Sequence, residues 1–249
     1  MANYRISIGR FKSPDDFVVV LTNFVGGMPK TSFLSRSQKS KIFEEDELNV
    51  VIDVLRASST IVTALASGVT EIVPIGTEEA ALELKKEGYT IAGEYEGIKL
   101  PKFDIGNSPV ELLKEIERSK IEKLALKTTN TTERLIEMKD ALICSSLNLT
   151  AIKNTLNKKN NKNKNANIIA MGSEHGITED LAVAFSLYAN LNDGLKIKRD
   201  FLRECIFKSN TAKHLIELGY ESDVEFISKI DRYNVVPVMR KGVIRRYEE

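Results

Sequence analysis

Between Asn49 and Gly68 the sequence NVVIDVLRASSTIVTALASG changes its hydrophobic period, and that change admits few architectures. Val50, Val51 and Ile52 form the β-branched run that a strand buried on both faces requires, and Ile61, Val62, Leu65 and Ala66 then recur at helical spacing. The junction between the two patterns is polar: it holds the carboxylate of Asp53, the guanidinium of Arg56 and the hydroxyls of Ser58, Ser59 and Thr60. In open α/β sheets, ligands bind beyond the carboxyl ends of strands, where a helix N-terminus offers unpaired N–H groups to an anion. This turn therefore reads as the floor of an active site. The same residues also have purely structural uses. Asp53 can accept hydrogen bonds from the following turn, Ser59 or Thr60 can cap a helix, and Arg56 can form a surface ion pair.

The strand-to-helix alternation continues along the chain. Strands are expected at 4–9 and 17–22 with a turn at Ser13–Asp16, and 26–48 reads as a loop or short helix carrying a basic SRSQKSK patch and an acidic EEDE run. Glu71–Ile75 reads as a strand, and Thr77 caps a helix that runs to about Glu87 before Gly88. A short strand at Thr90–Ala92 leads into GEYEGIKLPKFDIGNSP, a long Gly- and Pro-rich loop in which Glu94, Glu96, Asp104 and Asn107 supply oxygens. Ser108 and Pro109 open the next helix, and KLAL at 123–126 precedes KTTNTT, where Thr128 to Thr132 place four hydroxyls and the Asn130 amide in five residues.

A strand at 141–144 ends in SSLNLT with Asn148, the Asn/Lys-rich stretch 157–167 reads as an exposed loop, and a strand follows at 167–171. Thr178 then caps a helix with Glu179 and Asp180 in its first turn. His175 beside them is a candidate acid or base, whereas His214 in a later helix reads as structural. Three amphipathic helices fill 200–229, and VVPVM reads as an edge strand because of its internal Pro237.

The 249 residues, 42% of them hydrophobic, suffice for one α/β domain spanning 1–249, with the first 48 residues partly irregular. The expected fold is a three-layer α/β/α sandwich with a largely parallel or mixed central sheet. The 36 Lys and Arg balance 35 Asp and Glu, so global charge gives no reason to expect nucleic acid, and no apolar run reaches membrane-spanning length. The N-terminus lacks a signal peptide's apolar core, which makes a cytosolic protein the expectation. The two cysteines, Cys144 and Cys205, have neither metal nor disulfide spacing.

If the sheet is mostly parallel, its polar strand ends share one edge and these residues converge. Carboxylates with hydroxyls, one Arg and no Cys/His cluster suit Mg²⁺ and a small phosphorylated molecule better than zinc or a redox cofactor. The position two after Asp53 is Leu55, which departs from the DxDx[TV] motif of haloacid-dehalogenase-type phosphatases, and neither GxxxxGK[ST] nor GxGxxG occurs.

VVIDVLRASSTIVTALASG, GEYEGIKLPKFDIGNSP, KTTNTT, SSLN, TEDLAVA and DRYNVVPVM, in this order, resemble the 2-phosphosulfolactate phosphatase family from about residue 49 to the C-terminus. Members are Mg²⁺-dependent enzymes of coenzyme M biosynthesis. The resemblance implies an α/β/α fold and hydrolysis of (2R)-2-phospho-3-sulfolactate to sulfolactate and phosphate. Where the family usually reads TTNGT this chain has Thr131, and the Asn/Lys insert is also unusual for the family.

On this reading Mg²⁺ sits among Asp53, Glu94, Asp104, Glu179 and Asp180, held by two or three of them with waters. Ser59, Thr60, Asn107, Ser108, Thr128, Thr129, Asn130 and Asn148 are the expected donors to the substrate, and Arg56 and Lys99 bind its sulfonate or carboxylate. Asp53 or Asp104 is the general base, and Asp53 is alternatively a covalent nucleophile. The expected partner is a small anionic phosphorylated substrate, with no nucleic acid or membrane; a homodimer is an admissible assembly. Two rivals stand beside this reading: a non-catalytic protein that binds an anionic metabolite through the same turns, and an RNA-associated role for the basic 157–165 loop.

Overall fold

A computed structural model describes residues 4–8, 17–22, 30–35, 48–138, 140–160, 166–173, 175–191 and 197–248. The expected turn at 13–16, the basic and acidic runs at 35–47 apart from Ser35, and residues 161–165 of the Asn/Lys-rich stretch lie outside the described residues.

The fold is α/β, built on a mixed sheet. One parallel unit comprises β4 (Leu48–Ile52), β9 (Asp140–Cys144) and β10 (Ala166–Ala170), and it is extended by β1 (Tyr4–Ile8), β2 (Phe17–Thr22) and β3 (Lys30–Ser35). The second comprises β5 (Glu71–Pro74), β8 (Lys123–Lys127) and β6 (Thr90–Tyr95), with the short β7 (Ile98–Lys99) on its edge. Between them lies the hairpin β11 (Pro237–Arg240) and β12 (Val243–Arg246).

That hairpin corrects the expectation of a shared edge. Pairing is antiparallel at β9/β11, at β11/β12 and at β12/β5, so the two parallel units run in opposite directions. Their contact through β12 and β5 is a single residue pair, Ile244 with Ile72. Residues that follow the strands of the two units nonetheless bond to one another, as Thr131 does with Asp53. Pro237 also proves central rather than marginal. It is the first residue of β11, where its missing N–H is tolerated, and Val238 and Met239 then pair with both neighbours.

Helices cover the buried strands on both faces. α1 (Ala57–Ala66) lies against β9 and β11, while α5 (Leu149–Asn160) and α6 (Thr178–Leu191) pack on each other and against β9 and β10. α2 (Glu78–Lys86), with its Thr77 cap accepting from the Ala80 N–H, covers β6 and β8, and α4 (Thr131–Glu137) covers β5. α3 (Pro109–Arg118) packs on α1; α7 (Arg199–Phe207), α8 (Asn210–Glu217) and α9 (Glu221–Ile227) form a helical layer over α3 and α6. The core runs continuously from Val50, Val51 and Ile52 through Leu142, Ile143, Ile168 and Ile169, all fully buried.

Four local expectations change. Residues 30–35 form a strand where a loop or helix was expected. β6 runs on through Tyr95 and turns at Glu96–Gly97 into β7, so the long loop opens as a hairpin. Residues 157–160 complete α5 rather than belonging to a loop. Thr178 is the first residue of α6, not the residue before it. No helix among the described residues is long and apolar enough to cross a membrane.

Candidate active site

The turn after β4 folds around its own polar groups. The Asp53 N–H donates to Ser58 Oγ at 2.9 Å, Asp53 Oδ1 accepts from the Ala57 N–H at 3.3 Å, and the Leu55–Arg56 peptide is cis. The carboxylate of Asp53 thus meets the start of α1 through one oxygen and also lines a pocket. From the second unit, the Thr131 hydroxyl at the start of α4 donates to Asp53 Oδ2. The carboxyl end of β8 thus touches that of β4.

Glu179 and Asp180 reach the same pocket from the first turn of α6. Asp180 Oδ1 accepts from the Val54 N–H at 2.7 Å and Oδ2 from the Gly172 N–H at 2.8 Å, which joins the ends of β4 and β10. Glu179 is 2% exposed and its Oε2 has no hydrogen-bond partner among the described residues. Burial pushes the Asp53 carboxyl up to about 6; the Thr131 hydroxyl works against this, and the charges of Glu94 and Glu179 add to it. Asp180 is pushed well above the usual carboxylate range, first by burial and then by Glu179 and Asp53. The carboxyl groups of Asp53, Glu179 and Asp180 therefore feel one another's charge.

Glu94 organises the opposite wall. Its Oε1 accepts from the Thr129 N–H at 2.8 Å, and its Oε2 accepts from the Thr129 hydroxyl at 2.8 Å and from the Gly97 N–H at 2.6 Å. Gly97 has φ of +85°, and a Cβ there would come within 2.9 Å of Leu218 Cδ1, so this turn requires glycine. Thr128 and Thr132 exchange backbone-to-hydroxyl bonds of 3.0 and 3.2 Å, and Asn130 Nδ2 donates to the Gly172 carbonyl at 2.8 Å. Asn107 lines the pocket 3% exposed, with its Oδ1 unpartnered among the described residues.

Arg56 lines the pocket but is largely committed. Its Nη1 pairs with Asp223 Oδ2 at 2.8 Å, its Nη2 donates to the Gly97 carbonyl at 2.7 Å, and its guanidinium lies 4.1 Å from the Tyr220 ring centroid. Ser108 caps α3 and donates to Asp223 Oδ1 at 2.7 Å instead of facing the cavity.

The structure thus brings Asp53, Arg56, Glu94, Asn107, Thr128, Thr129, Asn130, Glu179 and Asp180 to one pocket. It does not bring Asp104 there. That residue is exposed, bound to Lys85 Nζ and accepting from the Ile91 N–H at 2.9 Å, while Lys99 Nζ donates to its carbonyl at 2.7 Å. Ser59 bonds to the Val54 carbonyl and Ser145 Oγ, both at 2.7 Å, and the buried Thr60 hydroxyl has no partner among the described residues. Asn148 closes a capping box with Ser145 and donates to the Ile143 and Val235 carbonyls at 3.2 and 3.0 Å. None of these three lines the pocket.

Ser173, Thr211 and His214 line it without having been expected there. His214 sits on an amphipathic helix whose pattern carries no functional signal, so only its packing reveals it. Among the described residues no three His, Cys, Asp or Glu side chains form a ready metal cage. Mg²⁺ does not need one, because it keeps several waters and takes one or two carboxylates together with substrate phosphate.

A pocket lined by carboxylates and amides at the strand-to-helix junctions of an α/β sheet is the kind of site that enzymes of this class carry. The chain belongs to the 2-phosphosulpholactate phosphatase family, whose model matches residues 34–242. It is 38% identical to the probable 2-phosphosulfolactate phosphatase of Thermotoga maritima over 209 residues, 78% of this chain and 89% of that protein. It is 33% identical over 224 residues to the 2-phosphosulfolactate phosphatase of Methanothermobacter thermautotrophicus, 83% of this chain and 94% of that protein. With the probable phosphatase of Clostridium tetani the figures are 32% over 219 residues, 81% and 93%. The family is one of phosphatases, and the chain is a hydrolase of phosphoric monoesters.

Proposed function

We propose that this protein hydrolyses (2R)-2-phospho-3-sulfolactate to (2R)-3-sulfolactate and phosphate with Mg²⁺, acting in the cytosol as a step of coenzyme M biosynthesis. The substrate is the one named for its relatives, and the pathway follows from the family resemblance. The observation that carries the Mg²⁺ reading is the unpartnered, buried Oε2 of Glu179 beside Asp53 and Asp180. A buried carboxylate oxygen with no donor is costly unless a ligand meets it.

Glu179 and Asp180 would hold the ion, Glu179 through its free oxygen. When bound, Mg²⁺ would neutralise charge on the phosphoryl oxygens and so open the phosphorus to attack by water. Asp53 takes a proton from the attacking water; its pKa near 6 suits a base working close to neutrality. The Thr131 hydroxyl and the Ala57 N–H fix its carboxylate for that transfer. As the water oxygen bonds to phosphorus, the ester P–O bond breaks, and the departing alkoxide takes up the proton that Asp53 removed. Asn107, which lines the pocket, donates to a phosphoryl oxygen through its Nδ2.

Phosphate release from phosphosulfolactate, phospholactate and phosphoglycolate, measured with Mg²⁺ and then with EDTA, tests the reading. Metal-dependent release that prefers the sulfonate is expected. Release without that preference keeps the phosphatase and removes the pathway, whereas binding without turnover of any ester leaves a metabolite-binding protein.

A further inference from the structure

Two imidazoles face this pocket and take no part in the steps above. His175, in the segment between β10 and α6, and His214, on α8, stack with ring centroids 3.9 Å apart and planes inclined by 21°, and both line the cavity. His214 Nε2 lies 3.3 Å from the Glu96 carbonyl; a carbonyl only accepts, so that nitrogen carries a proton. Stacking uses the ring faces and leaves the edges. The ring nitrogens of His175 and Nδ1 of His214 have no protein hydrogen-bond partner among the described residues.

The charge of the lining indicates a use for those edges. Asp53, Glu94, Glu96, Glu179 and Asp180 are five carboxylates against one guanidinium, Arg56, which already bonds Asp223 and the Gly97 carbonyl. Such a wall suits a cation with a phosphoryl group, and it repels any further negative group on the same ligand. Beside the N–H groups that Arg56 keeps, the lining holds two further groups that can meet an anion, the imidazoles: His175 can donate from a ring nitrogen, and His214 from Nδ1 when its ring holds both protons.

The pair is also tied to the reaction centre. The Glu96–Gly97 turn, onto which His214 bonds, receives Thr129 Oγ1 on the Glu96 N–H at 2.8 Å, Glu94 on the Gly97 N–H and Arg56 on the Gly97 carbonyl. His175 lies four residues before Glu179 on the segment that also carries Ser173, whose hydroxyl is 3.1 Å from that of Thr211 on α8.

We propose that His175 and His214 are specificity-determining residues, their stacked edges receiving the second strong-acid group of the substrate while the carboxylate wall handles its phosphoryl end. In the ester proposed above that group is the sulfonate, and the inference rests on that reading. Hydrogen bonds from two imidazole edges are strong enough to separate a sulfonated ester from one lacking the sulfonate by at least about tenfold.

The test compares wild-type protein with His175→Ala, His214→Gln and the double variant, using phosphosulfolactate and phospholactate, which lacks the sulfonate. Glutamine at 214 keeps a donor for the Glu96 carbonyl, so the turn is preserved. KM for phosphosulfolactate is expected to rise at least about tenfold in the double variant, with kcat within about twofold and phospholactate kinetics unmoved. Calorimetric binding of 3-sulfolactate weakens by the same factor, and this arm reads the pair even if wild-type protein turns over neither ester. Equal losses on both esters, an unchanged preference, or undiminished sulfolactate binding overturns the proposal.

Discussion

The Thr131 hydroxyl donates to Asp53 Oδ2 across 78 residues of sequence, tying the first turn of α4 to the end of β4. This bond is where the two opposed parallel units meet inside the pocket, and it opposes the burial that drives Asp53 up to about 6. Replacing Thr131 with Val removes the donor and keeps the shape. The acid limb of the activity profile is expected to move up by about one pH unit. Thr131→Ser should leave it in place, and a pH–rate series on the three proteins checks both.

Asp53→Asn is expected to lower kcat at least about tenfold. The metal-free protein should respond the other way. Asp53 has its pKa raised from 3.8 to about 6, so the folded state binds this proton more tightly than the unfolded chain does. Its contribution to stability is therefore full below pH 4 and lost as pH rises through 6. In EDTA at pH 8 the Asn variant should melt higher than wild type, while near pH 4 the difference should vanish.

Mg²⁺ should raise the melting temperature of the wild-type protein, and more at pH 8 than at pH 5. At the lower pH the raised carboxyl groups of Asp53 and Asp180 hold protons that compete with a cation. Glu179→Gln should abolish most of that rise. A thermal scan with and without Mg²⁺ at the two pH values decides it.

Asp223 accepts from Arg56 Nη1, from the Ser108 hydroxyl and from the Val110 N–H, and it is fully buried. Asp223→Ala strands the Arg56 guanidinium without its partner, and about 3 kcal/mol of stability should be lost in urea unfolding. A smaller loss than from an exposed pair such as Lys86 with Glu83 would contradict the burial of this link.

Asp104→Asn should leave kcat within about twofold of wild type, because its carboxylate is held by Lys85 and the Ile91 N–H outside the pocket. Steady-state kinetics suffices, and a loss comparable to that of Asp53→Asn would return Asp104 to the list of bases.

Much of the site was legible because its residues sit where local pattern marks them. Asp53, Thr128 to Asn130, Glu179 and Asp180 all follow an apolar strand and open a helix, and periodicity finds such junctions without knowledge of the fold. Ser59, Asn148 and Ser108 occupy similar junctions, yet their hydroxyls and amide turn inward to bonds with Ser145, Ile143 and Asp223. Junction chemistry alone does not separate a group facing a ligand from one that completes a cap. His214 shows the converse, since nothing in its helix distinguishes it until α8 meets the Glu96 turn.

The sequence by itself determined the α/β alternation, the buried strands, the caps at Thr77 and Ser108, and the family, because each depends on neighbours within a few residues or on the order of motifs. Tertiary structure alone decided that the two parallel units oppose each other, that Pro237 lies mid-sheet, that Asp104 stands apart, and that Arg56 is committed to Asp223. Strand direction and side-chain partnership are settled by packing between segments more than a hundred residues apart, as with Arg56 and Asp223, and local propensity carries no record of such distant partners.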